Sequence, residues 1–481
     1  MSISMQFLGA TQEVTGSCHF LQVNNQQVLL DCGLIQGGGT AELRNRDPFI
    51  FQAGDIDMVV LSHAHIDHSG RLPLLVKSGF TGPIYTHKAT AELCNIMLRD
   101  AAMLQLRDTE RLNKKLKKQD LKPVEPLFNE EDVDAAMKLF VMLDYGESVP
   151  LSPQIRVRLS DAGHILGSAI VELWLDDDTH KKKLVFSGDL GRPNMPILDD
   201  PTMIEHADLV VMEGTYGDRL HRGWEETLAE LKDIFSRAIS QGTGNILIPA
   251  FSVGRAQELL YLFHLYEKDW DLDRWTICLD SPMAIAATEV FVNNYGLCDD
   301  DFKAYSRQHP GKHPLLSNIQ FIQDTEESMA LNEVDKGLII IAGSGMCNGG
   351  RIRCHFEHNL WRPECHVIIC GFQALGTPGR LLVDGATELT VFGKSIKVAA
   401  QISTIGGLSA HADQAELSYW YQHFDDAPPL VLVHGEPDAL NELQAHLQPS
   451  CSAVTQARFG DSLDLTQLPA LKWQYLGSEG S

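Results

Sequence analysis

The chain has 481 residues, 44% hydrophobic and 21% charged, with a formal net charge of −25. That is an ordinary globular composition, but the chain is too long for one compact core and implies two domains, or one domain carrying a large insertion. The acidity excludes broad, sequence-independent nucleic-acid binding through a basic surface, and no apolar run approaches the length of a membrane span.

The first residues, Met1-Ser-Ile-Ser-Met-Gln, lack the basic-then-apolar pattern of a signal peptide. Ten cysteines are scattered without a CxxC pair, and Cys32, Cys278 and Cys370 lie in or at the end of apolar runs. They read as buried reduced thiols of a cytoplasmic protein. Gln27-Val-Leu-Leu-Asp31 is a strand ending at Asp31-Cys-Gly33, and Ile56 to Ser62 is a second, buried strand. It runs into His63-Ala-His65-Ile-Asp67-His68, three imidazoles and a carboxylate in six residues, followed by a helix start at Gly70. His63 and His65 can face one metal ion, Asp67 and His68 another. Such a strand-to-helix loop belongs at the carboxyl edge of an α/β sheet.

Pro83 to Thr86 is a further strand, followed by a helix over 89–101. The basic run Asn113 to Lys118 reads as a solvated helix face. Three later strands end in chemistry: Ile155 to Leu159 leads to His164, Lys183 to Phe186 leads to Asp189, and Ala207 to Met212 stops at Glu213. From about Asp218 to Arg380 apolar strands alternate with helices, implying a second, parallel sheet covered on both faces. Shorter elements then return, with Ser409-Ala-His411-Ala-Asp413 and the strand Leu430 to Val433 ending at His434. The last residues, from Gly477, read as an untethered tail.

His63, His65, Asp67, His68, His164, Asp189 and His434 therefore all sit at strand ends. Imidazole and carboxylate donors without thiolate favour Zn²⁺, with Mn²⁺ or Fe²⁺ also suited. Seven groups fit two ions sharing one carboxylate, and a hydroxide between two such ions is a nucleophile for an ester, amide or phosphodiester. Asp31 is placed to orient a ligand histidine, or simply forms a turn. His355 and His358, three apart on a helix, lack further donors for a third ion.

The run His63 to His68 resembles the HxHxDH motif of the metallo-β-lactamase superfamily, and Asp31, His164 and Asp189 match its other motifs. Glu213-Gly-Thr-Tyr-Gly, Ser409-Ala-His411-Ala-Asp and Val433-His434-Gly-Glu resemble the three further motifs of the β-CASP nucleases. Pro249 to Arg255, Ser344 to Gly350 and Gly371 to Arg380 resemble segments of that family's inserted domain. The resemblance runs from about Met5 to Leu447, with the motifs in the family's order. It is nearest in pattern to bacterial and archaeal proteins similar to the cleavage subunit of the messenger-RNA polyadenylation complex. Gly214 stands where serine is usual and Asn348 where threonine is commoner. There is no N-terminal KH-type extension, and little chain follows His434.

The resemblance implies an α/β fold, an αββα metallo-β-lactamase sandwich with an inserted β-CASP domain: 1–213, then the insert 214–385, then 386–481. It implies two Zn²⁺, held by His63, His65 and His164 and by Asp67, His68 and His434, with Asp189 bridging. It implies a ribonuclease acting on single-stranded RNA, endonuclease more than 5′-exonuclease, leaving 5′-phosphate and 3′-hydroxyl ends. A histidine at position 434 matches the RNA-cutting members. In this reading His411 protonates the departing 3′ oxygen and Glu213 orients it. Arg255, Arg351 and Arg380 follow glycine-containing loops, and either contact phosphate or pair internally with carboxylates. No membrane partner is expected, and a homodimer is left open. Two other readings remain at this point: hydrolysis of a small ester or lactone, and a non-catalytic RNA-binding scaffold.

Overall fold

Alternating burial along Ile3–Phe7 and His19–Val23 turns every second side chain inward, the pattern of a strand with one face on a core. These strands belong to an eight-stranded sheet ordered Trp473–Gln474, Ser462–Asp464, Ile3–Phe7, His19–Val23, Gln26–Leu30, Met58–Val60, Ile84–His87 and Phe140–Leu143. A seven-stranded sheet faces it, ordered Val454–Gln456, Leu430–Val433, Leu209–Glu213, Lys181–Phe186, Ala169–Asp176, Ile155–Asp161 and Ser148–Pro150. Met5, Leu21 and Val60 of the first meet Val157, Leu173, Val211 and Val431 of the second in one buried core. The computed structural model describes residues 3–37, 41–242, 244–308, 319–371, 373–471 and 473–474; the tail from Gly477 lies outside them.

Helices cover both outer faces. Leu75, Leu93, Leu98 and Val133, from Leu72–Lys77, Lys88–Lys117 and Glu130–Met137, pack over the first sheet. Leu417, Trp420, Leu440 and Leu443, from Gln414–Tyr421 and Pro437–Leu447, pack over Val210 and Met212 of the second. This is the expected αββα sandwich. The helix Lys88–Lys117 outruns its expected end at 101 because residues 102–117 are good helix formers without glycine or proline. Apolar periodicity stops where that helix leaves the core. The basic run at its end is largely exposed, where it complements the helix dipole.

The inserted unit is a six-stranded sheet, ordered Ile319–Phe321, Thr276–Leu279, Leu338–Ala342, Ile246–Pro249, His366–Ile369 and Gln401–Thr404. Every pairing in it is parallel. Trp224–Gln241 and Arg255–Leu265 pack on one face, and Ile352–Asn359 on the other. The strand Gln401–Thr404 corrects the boundary expected at 385, since the insert's sheet continues to Thr404. It is a half-exposed edge strand, so its sequence lacks the continuous apolar run of its neighbours. Val253, Ala287 and Phe291 of the insert share a core with Leu93 and Ile165 of the sandwich, so the two units are packed together. All ten cysteines are free thiols, and no helix among the described residues is long and apolar enough to cross a membrane.

Candidate metal centre

Five strands deliver their following residues to one edge of the sandwich: Met58–Val60, Ile155–Asp161, Lys181–Phe186, Leu209–Glu213 and Leu430–Val433. Their loops bring together two donor groups without a common member, His63, His65, His164 and Asp189, and Asp67, His68 and His434, and a third that overlaps both, Asp189, Glu213 and His434. Within each group the potential ligand atoms lie within 4.8 Å of one another. Asp189 Oδ2 lies between the groups, 3.3 Å from His63 Nε2, 3.3 Å from His68 Nε2 and 3.5 Å from His164 Nε2.

The outer nitrogens of the histidines dictate what the inner ones offer. His68 Nδ1 donates to Asp31 Oδ2 at 2.7 Å. Ser62 Oγ donates to the same Asp31 oxygen at 3.0 Å and so accepts from His63 Nδ1 at 3.1 Å. His164 Nδ1 donates to the Ala410 carbonyl at 3.1 Å. Thr215 Oγ1, which donates to the His434 carbonyl at 3.2 Å, accepts from His434 Nδ1 at 3.1 Å. A neutral imidazole has one donor and one acceptor nitrogen. Four Nε2 lone pairs therefore point inward.

Those lone pairs crowd together, two of them on one His65 nitrogen that has at most one proton to give. His63 Nε2 and His164 Nε2 each lie 3.1 Å from His65 Nδ1, and His68 Nε2 lies 3.1 Å from His434 Nε2. Asp189 Oδ1 is buried without a hydrogen-bond partner. Converging lone pairs and an orphaned carboxylate oxygen are costly unless a cation sits among them. The donor set fits zinc, which takes nitrogen and oxygen ligands in this number. Burial drives His65 down to about 3 and His164 well below the usual imidazole range, so both stay neutral, as ligands must.

Two glycines allow the loops to close. A Cβ on Gly33 would lie 1.6 Å from the Asp67 carbonyl, and one on Gly191 would lie 1.8 Å from that of Gly163. Asp31 carries more than a turn: it accepts from Ser17 Oγ, Ser62 N, Ser62 Oγ and His68 Nδ1. It holds a left-handed φ of +60°, strain of the kind that gathers at functional sites.

His411 stands beside the cluster, its Nε2 4.0 Å from Asp189 Oδ2 and its Nδ1 3.0 and 3.1 Å from the two oxygens of Glu213. Glu213 is fully buried and also accepts from the backbone N–H of Leu190 and Thr215. Burial opposes a charge on His411, but Glu213 and then Asp189 override it and raise the ring to about 9. Gly214 has a packing reason, since a Cβ there would lie 2.6 Å from Leu440 Cδ2.

The arginines expected near phosphate are all engaged by carboxylates. Arg255 is buried against Glu258. Arg351 follows the internal-pair alternative: it donates to Asp280 Oδ1 at 2.6 Å and to the carbonyls of Ile322 and Gln323. Asp280 also meets His355 and Ser328, so His355 belongs to this internal network. Arg351→Met should destabilise the protein by about 3 kcal/mol, because it strips a partner from a fully buried carboxylate. A denaturant midpoint equal to that of the parent would refute the assignment. Arg380 alone stays substantially exposed, paired along its helix with Asp384 at 2.9 Å.

Residues that sequence reasoning missed are Ser17, Ser62 and the Ala410 carbonyl, which fix histidine orientation, and Thr215, which was visible only as part of a motif.

Three family models match this chain: the metallo-beta-lactamase superfamily over residues 11–145, the Beta-Casp domain over 256–382, and the Zn-dependent metallo-hydrolase RNA specificity domain over 395–454. The chain is 39% identical over 456 residues to ribonuclease TTHA0252 of Thermus thermophilus, covering 95% of this chain and 98% of that protein. It is 31% identical to the transcription termination factor FttA of Methanothermobacter thermautotrophicus, over 89% of this chain and 66% of that one. A crystal structure of a protein of unknown function from Enterococcus faecalis V583 matches with a TM-score of 0.52 at 15% identity, covering 96% of this chain and 100% of its own, a likeness of fold alone. Full-length identity to a ribonuclease, and a sandwich interrupted by a parallel α/β insert at its donor-lined edge, place the chain in the β-CASP family of metallo-β-lactamase-fold hydrolases.

Proposed function

We propose that the protein is a zinc-dependent ribonuclease that hydrolyses single-stranded RNA, leaving a 5′-phosphate and a 3′-hydroxyl, with endonucleolytic cutting dominant. One observation carries this reading: Asp189, a member of the first donor group, comes within 3.3 Å of His68 of the second, and a histidine held by a buried carboxylate stands 4.0 Å from that same residue. The similarity to a ribonuclease along nearly the whole chain supports RNA as substrate.

His63, His65 and His164 would hold one Zn²⁺, Asp67, His68 and His434 the other, and Asp189 would touch both. When bound, such ions acidify coordinated water and draw charge from a phosphoryl oxygen. The chain supplies the rest. Asp31, Ser62, Thr215 and Ala410 hold the imidazoles in one tautomer. His411 Nε2 gives its proton to the departing 3′ oxygen while Glu213 stabilises the charged ring. The insert walls the cleft, with Phe251 6.4 Å from the His65 ring.

Zinc-loaded protein incubated with end-labelled single-stranded RNA and matching DNA tests this. Internal RNA products with 5′-phosphates are expected. Turnover of DNA at the RNA rate, or of neither, would refute the substrate. Arg380 is the remaining candidate for a phosphate contact. Arg380→Ala should weaken RNA binding and reduce the salt slope by roughly 0.7; an unchanged slope would remove it from the RNA path.

A further inference from the structure

The insert is joined to the sandwich by two strands of chain, residues 214–223 going out and 405–413 coming back. They run side by side. Tyr216 and Asp413 form a parallel bridge, and Gln414 donates its main-chain N–H to the Arg219 carbonyl at 3.1 Å and its side-chain amide to that of Gly217 at 2.7 Å. His411 lies on the returning strand, so the proton donor proposed above is mounted on this double connection.

His221, on the outgoing strand, is fixed on several sides. Its main-chain N–H donates to Asp413 Oδ2 at 2.8 Å, and its ring meets the Tyr216 ring edge-on at 4.7 Å. Its Nε2 lies 3.0 Å from the carbonyl oxygen of His411. A carbonyl only accepts, so Nε2 must carry the proton. Burial, then Arg192, lowers this imidazole to about 4, which keeps it neutral and its tautomer single; Asp413 and His411 are the other charged groups facing it. Among the described residues, the other partner of the His411 N–H and carbonyl is the Ser409 hydroxyl, at 3.3 Å from the nitrogen and 3.5 Å from the carbonyl oxygen. The ring of His411 is held by Glu213; its own carbonyl is held by His221, while the neighbouring Ala412 N–H donates to the Leu190 carbonyl at 2.8 Å and the Ala410 carbonyl accepts from His164.

We propose that His221 is a positioning residue for the proton-transfer step, its Nε2–H anchoring the His411 carbonyl and thereby the line between Glu213, the His411 ring and the leaving oxygen. This rests on the reading of His411 as the acid. In the step concerned, a water that gives up one proton to solvent bonds through its oxygen to phosphorus, the P–O3′ bond breaks with its electron pair on O3′, and O3′ takes the proton from His411 Nε2, which is then reprotonated from solvent. A displacement of about 1 Å at a reacting group costs on the order of 10²-fold. Losing the anchor should therefore cost less than losing the ring.

The test compares two substrates: an RNA, and the same RNA with sulfur replacing the bridging 3′ oxygen at the scissile bond. A thiolate departs without protonation. His221→Leu, zinc-loaded, should lose about 10–100-fold in kcat on the oxygen substrate, with KM and zinc content unchanged, and far less on the sulfur substrate. His221→Gln, which can place an amide donor near Nε2, should recover most of the rate. Should the leucine variant fail to hold zinc, His221→Asn, whose donor is too short to reach, takes its place with the same expectation. Equal losses on both substrates, a loss confined to KM, or no loss would overturn the proposal. His411→Ala in the same assay separates the two claims. If it spares the sulfur substrate while His221 variants do not, the positioning role fails alone. If it impairs both substrates equally, the acid assignment fails and the positioning role with it.

Discussion

Asp189→Ala should bring RNA cleavage below detection and lower the metal bound per chain relative to the parent protein, without unfolding it. The residue's Oδ2 is within 3.5 Å of imidazole nitrogens belonging to both donor groups, and its Oδ1, which has no hydrogen bond, lies 3.5 Å from His434 Nδ1. With two ions bound as proposed, its removal would take an anion placed between them and leave neighbouring cations to repel across a low-dielectric gap. The thermal shift on adding zinc reports the same loss, since a ligand bound only to the folded state adds about 4 kcal/mol at a thousandfold excess over its Kd. The variant should show a much smaller shift. Retention of two ions with full activity would remove Asp189 from the centre.

His411→Ala should lose roughly 10²–10⁴ in rate yet keep its zinc, because its Nδ1 is committed to Glu213 and it falls outside both donor groups. A variant that sheds an ion would make His411 a ligand instead. The pH profile carries an independent signature. An acid must be protonated, so rate is available below the pKa of His411 and lost as pH rises through it. Among the groups around the ring, Glu213 is the first that raises this pKa. Bound dications would counter the contribution of Asp189, leaving Glu213 as the principal support. Glu213→Gln should therefore move the alkaline limb to lower pH. A limb that stays in place would break the link between the two residues.

How much of this was legible from the sequence depends on whether a contact is local. The run His63 to His68 announces itself because one loop holds four donors, and His164, Asp189 and His434 follow because each ends an apolar strand. The contacts that fix their tautomers were not legible, since Ala410 meets His164 across 246 residues and Thr215 meets His434 across 219. The arginines divide the same way. Arg255 and Glu258 are three apart and Arg380 and Asp384 four apart, spacings at which helix neighbours pair. Those two ion pairs were there to be read. The pairing of Arg351 with Asp280 spans 71 residues and comes from the packing of two loops in the insert. The boundary at 385 erred because Gln401–Thr404 is an edge strand, half-exposed like those of the sandwich.

The order in which the chain is made adds a consequence. His68 and His434 touch across 366 residues, and Leu209–Glu213 is paired on one side by Leu430–Val433. At a ribosomal rate of about 5–20 residues per second, roughly 20 to 70 seconds separate the emergence of these two histidines. Throughout that interval the growing polypeptide holds only part of its cutting edge. Until Leu430–Val433 and His434 have emerged, the donor group of Asp67, His68 and His434 is incomplete.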